Sequence, residues 1–394
     1  MSTAALDALL SEPVEAARAR ERRAFDDAVR GRPLVLMGSG GLGRRALAGL
    51  RAAGVSPLAF ADNDLSRQGT DQDGLRVLSP EDAAREFGAT AAFVVTIWGA
   101  NSPHRFAHSR AQLHELGCDV VVPFPYLFWK YDRDLLPHYL VDLPHHVLEQ
   151  ADDVRRGYAL WSDDASRAEY VAQVRLRLLA DFDGLSHPVA HPQYFPDDLY
   201  EWRDDEVIVD GGAYDGDSLR SLVVLHGDAF KKVIAFEPDP ANFAKLGATV
   251  AALPREWRER IVTLRMALGD TSDTLPMVAS GTASSSMGAG AGGATVQVAV
   301  EPLDDVIGTD RPTLVKLDIE GAEPEALLGA RRTITTNGPV CAICVYHRQD
   351  HLWRLPLMLH EFRDDYAFFL RPHNEEGWDL VCYAVPVARL MDTA

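Results

Sequence analysis

Two short apolar runs, each ending in a glycine-rich turn, restrict this chain to few folds. The second runs from Glu206 to Ser218 and holds Val207, Ile208 and Val209, a β-branched run that suits a buried central strand. Gly211, Gly212 and Gly216 follow, and glycine lets a backbone turn sharply and approach a ligand closely. A helix is expected from about Asp217. Strand, tight turn and helix in this order belong to a parallel α/β sheet, whose ligands bind at the carboxyl ends of the strands.

The two turns differ in charge. Asp210, Asp215 and Asp217 make the second acidic. A phosphate cradle wants bare N–H groups, not three carboxylates. An acidic turn suits a ligand with hydroxyls and a cationic end, and S-adenosylmethionine has an ammonium, a sulfonium and a ribose but no phosphate. The turn of the first run, Gly38-Ser39-Gly40-Gly41-Leu42-Gly43, has no acid. It follows an apolar strand ending at Met37, and a second strand, Pro57–Ala61, ends at Asp62. That is the pattern of a dinucleotide-binding βαβ unit, with the acid on the ribose. Gly38, Gly40, Gly43 and Asp62 are therefore candidates for a second nucleotide site. The unit is short, and no hydride-transfer partner follows it. A structural or substrate-positioning role fits better.

A length of 394 residues allows two or three domains with real cores. The 58 acidic residues against 39 basic ones give a net charge of −19, which weighs against nucleic acid and anionic membranes as partners. A small-molecule acceptor fits better. Cysteines number only four, which points to a reducing compartment, and Cys341 and Cys344 read as core residues of one strand rather than a metal pair. With neither a signal-peptide pattern nor a run long enough to span a membrane, the expectation is a cytoplasmic protein. Homo-oligomer formation is left open.

Along the chain, residues 1–30 read as an amphipathic helix and 31–125 as a small Rossmann-like domain of about four strands. Residues 126–205 read as a helical connector and cover, with a helix from Asp164 to about Phe182 and an extended segment around Tyr194 and Phe195. Residues 206–394 alternate strands and helices, with seven principal strands, the last two able to pair antiparallel. The Ser/Gly/Ala-rich stretch 280–294 reads as a mobile loop, and Thr295–Val300 as one arm of a hairpin.

Chemistry is expected at the strand ends. Glu237, before Pro238, can accept both hydroxyls of a ribose. Ala267 and Leu268, beyond the third strand, are placed against the same ligand. The charged run Lys316-Leu317-Asp318-Ile319-Glu320-Gly321-Ala322-Glu323 closes an apolar strand, where unpaired charge is costly. Alternation puts Lys316 and Asp318 on one face, as pocket candidates. Glu320 is assigned to the substrate side with Tyr194 and Phe195. Glu323 reads as a helix cap. Asp318, Glu320 and Glu323 could together hold a divalent cation, but no metal is assigned. His347 is either a general base or a histidine hydrogen-bonded at its strand end, with His373 a weaker rival. His104 and His108 read as capping or exposed residues.

Residues from about 190 to 388 resemble the FkbM-type S-adenosylmethionine-dependent methyltransferases. The resemblance rests on Val209–Asp217, Phe236-Glu237-Pro238, Leu303-Asp304-Asp305 and, most specifically, Lys316–Glu323. It implies a class I methyltransferase fold and O-methylation of sugars or secondary metabolites. It assigns the acidic turn, Asp210 to Ser218 with Ala213 among them, and Glu237 to the cofactor. It does not fix the base, for which Asp318 and His347 are candidates, with Lys316 beside them. The alternatives are a nicotinamide-dependent oxidoreductase or a nucleotide-sugar-binding protein using the first glycine turn.

Overall fold

The computed structural model describes residues 3–100, 104–278, 286–287 and 295–391. Its larger sheet is built on β7 (Val207–Gly211), buried along its whole length. β7 lies between β8 (Lys232–Phe236) and β14 (Leu314–Leu317), parallel to both. Beyond β8 comes β9 (Ile261–Leu264); beyond β14 come β15 (Val340–Cys344), β17 (Leu380–Pro386) and β16 (Tyr366–Pro372). The order is β16-β17-β15-β14-β7-β8-β9, with β17 antiparallel to both its neighbours. This is the seven-stranded arrangement that the class I methyltransferase resemblance implies. The chain reverses its direction of travel across the sheet between β7 and β14, so their carboxyl ends form the crevice where such sheets bind ligands. Register sets Asp210 beside Lys316 and Gly211 beside Leu317.

The smaller sheet is also mostly parallel. Its centre is β1 (Leu34–Met37), fully buried, between β2 (Ala59–Ala61) and β5 (Ala92–Val95), with β6 (Val120–Pro123) outside β5. A hairpin of β3 (Asp71–Gln72) and β4 (Leu75–Leu78) adds two strands that the reading of about four omits. Its turn is Asp73-Gly74, with both residues at positive φ, the backbone that a two-residue hairpin turn demands. A third, four-stranded sheet takes β10 (Ala267–Leu268), β11 (Asp273–Val278), β12 (Ser286–Met287) and β13 (Thr295–Glu301). The expected hairpin arm is β13, antiparallel to β11. The stretch read as a mobile loop, 280–294, lies outside the described residues apart from 286–287.

The helices between the two larger sheets do more than connect them. Helix Asp164–Leu179 starts where the Asp163 carboxylate accepts the Ser166 N–H, and stops three residues before Phe182 because Ala180 turns left-handed. It lies along β16, the edge strand. Ser162 Oγ accepts the Phe368 N–H at 3.0 Å and Ser166 Oγ the Leu370 N–H at 2.9 Å, so the edge is not left open for another strand. The amphipathic helix Val14–Val29 buries Phe25 and Val29, and its buried Glu21 meets His145 Nδ1 at 2.8 Å.

The loop after β5 docks on the turn between β16 and β17. Trp98 Nε1 donates to the Glu376 carbonyl at 3.1 Å, the Trp98 and Trp378 rings lie 4.5 Å apart, and Arg105 pairs with Glu375 at 2.7 Å. The first sheet's loop thus closes over the crevice of the second.

Candidate functional site

A cavity of about 460 Å³ opens at the carboxyl edge of the larger sheet. One end is bounded by the turn after β7 and by β8, the other by the loop after β14 and the β16–β17 turn.

At the first end Gly212 holds a positive φ of 80°, and a Cβ there would fall 1.9 Å from the Asp318 carbonyl oxygen. Only glycine lets the two strand ends approach this closely. The Asp210 carboxylate lies behind the turn. Its Oδ1 meets Lys316 Nζ at 2.9 Å and its Oδ2 accepts the Ser218 hydroxyl at 2.5 Å. Lys316 Nζ also donates to the Gly212 carbonyl at 2.6 Å and lies 5.1 Å from the centre of the Tyr194 ring. Burial would lower the lysine's pKa, but Asp210, Asp318 and Asp217 outweigh it and hold it above its ordinary value. Lys316 thus braces the turn through the Asp210 carboxylate and the Gly212 carbonyl.

Glu237, 5 % exposed at the end of β8, accepts the Tyr214 N–H and the Asp239 N–H, both at 2.8 Å, one on each oxygen. Burial pushes its pKa up to about 7 despite those two bonds. Each oxygen keeps a lone pair for a further donor.

Of the residues expected to meet a cofactor, Gly212, Asp217, Glu237, Pro238, Ala267, Leu268 and Asp318 line the cavity. Asp210, Gly211, Ala213, Asp215, Gly216 and Ser218 do not. Asp210 faces both Lys316 and Ser218. Asp215 turns to Arg220 at 2.7 Å on the surface, and Gly216, at φ 87°, caps the helix Asp217–His226. They shape the turn without lining the cavity.

At the other end Asp318 is held by three groups. Its Oδ2 accepts the Tyr194 hydroxyl at 2.7 Å, and its Oδ1 faces the Tyr346 hydroxyl at 3.4 Å and His347 Nε2 at 3.3 Å. Burial would raise its pKa, but His347, Lys316 and Tyr194 keep it well below the carboxylate range. His347 is buried behind it. Its Nδ1 meets Glu323 Oε1 at 2.8 Å, and its Nε2 also faces Glu320 at 3.9 Å without hydrogen-bond geometry to either acid on that side. Burial opposes the imidazolium, but Glu323, Asp318 and Glu320 raise its pKa well above the usual value. His347 does not line the cavity; it stands at the buried strand end among Glu323, Asp318 and Glu320. His373 does not line the cavity either. Burial lowers its pKa to about 4, and its Nε2 pairs with the Tyr383 hydroxyl at 2.8 Å, outside the cavity.

Glu323 is more than a helix cap. Fully buried, it accepts the Ile319 N–H at 2.9 Å and also faces His351 at 3.2 Å, so it fastens the turn after β14 to the end of β15. The three acids considered for a cation do not converge, because His347 stands among them.

Tyr194 lines the cavity as expected; Phe195 packs away from it, on Trp202. Sequence reasoning missed Tyr139, Tyr346, Trp378 and Asp379, which wall the far end. Trp378-Asp379 was visible as an aromatic and an acid in the turn of a hairpin on the active edge. Tyr139 gave no signal, since only the packing of the connector after β6 brings it there. His108, by contrast, caps a helix through the Arg105 N–H. Cys341 and Cys344 are buried and meet different tyrosines, Tyr366 and Tyr194.

The first glycine turn is built from the inside. Asp62 Oδ2 accepts the Ser39 N–H at 2.7 Å and the Ser39 hydroxyl at 2.5 Å, and Oδ1 accepts the Asp64 N–H at 2.9 Å. The carboxylate expected on a ribose is occupied by the protein's own donors. A Cβ on Gly43 would fall 1.9 Å from the Gly38 carbonyl oxygen, and Gly38 itself has φ 109°, so these glycines serve helix-on-strand packing. Gly40 abuts Arg67.

No curated protein matches the chain. Among solved structures, it is similar to methyltransferase FkbM from Methylobacillus flagellatus KT, at 23% identity and a TM-score of 0.77, over 97% of each chain. A proposed rRNA-methylase from Clostridium thermocellum aligns at 13% identity and a TM-score of 0.30, covering 47% of this chain and 89% of that one, too low to carry any argument. Residues 210–370 match the family described as the methyltransferase FkbM domain. Over residues 210–370 the chain is thus similar to the methyltransferase FkbM domain.

Proposed function

We propose that the protein is an S-adenosylmethionine-dependent O-methyltransferase acting on a hydroxyl of a sugar or secondary metabolite. The observation that carries the reading is Glu237, a buried carboxylate at the end of β8 with one acceptor site left on each oxygen, opposite the turn at Gly212. Two adjacent ribose hydroxyls fit those two sites. The donor set suits the rest of the group too. The lining acids Asp217, Glu237, Asp318, Glu320 and Asp379 outnumber one lysine already neutralised by Asp210, so a cation is favoured there and a phosphate is not.

When bound, S-adenosylmethionine supplies an electrophilic methyl group on a sulfonium. The protein's part is placement. Holding an acceptor oxygen in line with that methyl group accounts for much of a rate enhancement of this kind. Tyr194 and Gln193 close the cavity from the cover segment, Tyr139 from the connector that follows β6, and Ala100 from the loop after β5. We infer that residues 31–125 position the acceptor and do not bind a nucleotide, supported by the internal bonding of Asp62.

Calorimetric titration with S-adenosylhomocysteine tests the reading. Binding is expected for the wild type, with a loss of at least tenfold for Glu237→Ala and for Asp210→Ala, the latter through collapse of the turn. Unchanged affinity in both variants rules out this site.

A further inference from the structure

We propose that Glu320 is the base that receives the acceptor's hydroxyl proton, that Tyr139 positions it, and that the acceptor is a neutral polyhydroxylated ring. This rests on reading the cavity as a methyl-transfer site.

The first observation is backbone strain. Nine non-glycine residues have positive φ among the described residues, and five of them line this one cavity: Tyr139, Tyr194, Tyr214, Glu320 and Asp379. Left-handed backbone at a residue with a Cβ is unfavourable and persists where the surrounding structure enforces it, most often at functional sites. Glu320, at φ 57°, is turned into the cavity by the loop that Glu323 fastens from behind.

The second is elimination among the lining carboxylates. Glu237 binds two backbone N–H groups at the opposite end. Asp318 already accepts the Tyr194 and Tyr346 hydroxyls, one on each oxygen, and lies 3.3 Å from His347 Nε2. Asp217 starts a helix and accepts the Ser218 N–H. Asp379 is tied to Asn374 at 3.1 Å. Among the described residues Glu320 accepts no backbone N–H; the Tyr139 hydroxyl acts to lower its pKa, and His347 lies at 3.9 Å. The charged and titratable groups facing it are His347, Asp318, Glu323, Tyr139 and Tyr346. Burial first, with Asp318 and Glu323, raises its pKa to about 7 against the pull of His347 and Tyr139, which leaves it able both to take and to release a proton near neutrality.

The third is the wall around it. Tyr139 and Trp378 lie 4.6 Å apart, and Tyr346 and Trp378 5.6 Å apart. Aromatic faces beside Asp318, Glu320 and Asp379 suit the C–H face and hydroxyls of a neutral ring, while an acceptor phosphate would meet three carboxylates. In the step itself, the hydroxyl oxygen bonds to the methyl carbon, the methyl–sulfur bond breaks with its electron pair left on sulfur, and the O–H proton passes to Glu320, which returns it to water.

The test uses the full chain saturated with S-adenosylhomocysteine and carrying carbon-13 at the Glu side-chain carboxyls. One signal, absent from Glu320→Gln, should titrate near neutrality and move to higher pH in Tyr139→Phe; a midpoint in the ordinary glutamate range overturns the base. Glu320→Gln should bind S-adenosylhomocysteine as the wild type does. If the wild type itself fails to bind, the cofactor reading fails instead. A mass-shift assay with methyl pyranosides and the matching sugar 1-phosphates tests the acceptor. Methylation of the neutral ring only is expected; equal turnover of the phosphates, or no neutral ring turned over, overturns the acceptor class. On a methylated pyranoside, Glu320→Gln should lower kcat at least a hundredfold with KM little changed, and Glu320→Asp should recover part of it. A kcat within threefold of wild type overturns the catalytic role.

Discussion

Residue by residue, the cavity is a set of carboxylates whose ionisation is driven in opposite directions. Asp318 is pinned as an anion by His347, while Glu237, Glu320 and Asp379 are raised by burial to about 7, 7 and 6. Two predictions follow from the signs. Glu237 ionises as pH rises through about 7, and only the ionised group accepts both ribose hydroxyls. Affinity for S-adenosylhomocysteine should therefore rise about tenfold between about pH 6 and about pH 8, and calorimetry should find that rise gone in Glu237→Gln. Glu320 has a folded pKa above its unfolded value of 4.5. The folded state thus holds the proton more tightly, so the stability this group contributes is full below about 4.5 and is lost as pH rises towards 7. Glu320→Gln should be more stable than wild type at about pH 8, by on the order of 1–3 kcal/mol, and the gap should close near pH 5 in urea melts. Acidity at these positions is plain in the chain. Which acid is pinned and which is poised is not, because that depends on His347 and Tyr139 arriving from elsewhere.

At the level of elements, the two glycine turns solve the same packing problem for different ends. In each, a Cβ at one glycine would lie 1.9 Å from a carbonyl oxygen: Gly212 against Asp318, Gly43 against Gly38. Alanine at either should cost about 2–4 kcal/mol, as overpacking against backbone does. The two should part in binding. Gly212→Ala is expected to abolish S-adenosylhomocysteine binding, because the turn must move off β14; Gly43→Ala should leave the dissociation constant within about twofold, its clash being confined to the first sheet. Chemical denaturation and calorimetry on the pair check both halves. The strand–turn–helix order was legible here because β-branched runs and glycines act locally. The β3–β4 hairpin was legible too, through Asp73-Gly74, and was overlooked. Leu303-Asp304-Asp305, part of the resemblance, turns out to hold a helix start: Asp304 accepts the Arg332 and Thr333 N–H groups. No helix among the described residues is long and apolar enough to cross a membrane.

For the whole molecule, the decisive contact is between the loops of the two sheets. Trp98, 8 % exposed, packs on Trp378 and sits among Phe124, His138 and Tyr139. Trp98→Ala should cost about 3–5 kcal/mol of stability and raise the acceptor KM, while leaving S-adenosylhomocysteine affinity unchanged, since Glu237 lies at the other end of the cavity. A variant that instead loses cofactor affinity would show that the two ends are not independent. By itself the sequence determined the α/β class, the seven strands of the larger sheet, the two turns and the acids at Glu237 and Asp318, because strand propensity, glycine turns and charge at strand ends are properties of neighbouring residues. Tertiary structure alone decided that Asp62 bonds inward, that His347 is buried among three acids, and that Tyr139 and Trp378 close the cavity. Each of those outcomes depends on groups tens to hundreds of residues apart in the chain, whose meeting sets the burial and the pairing that give a charged side chain its role.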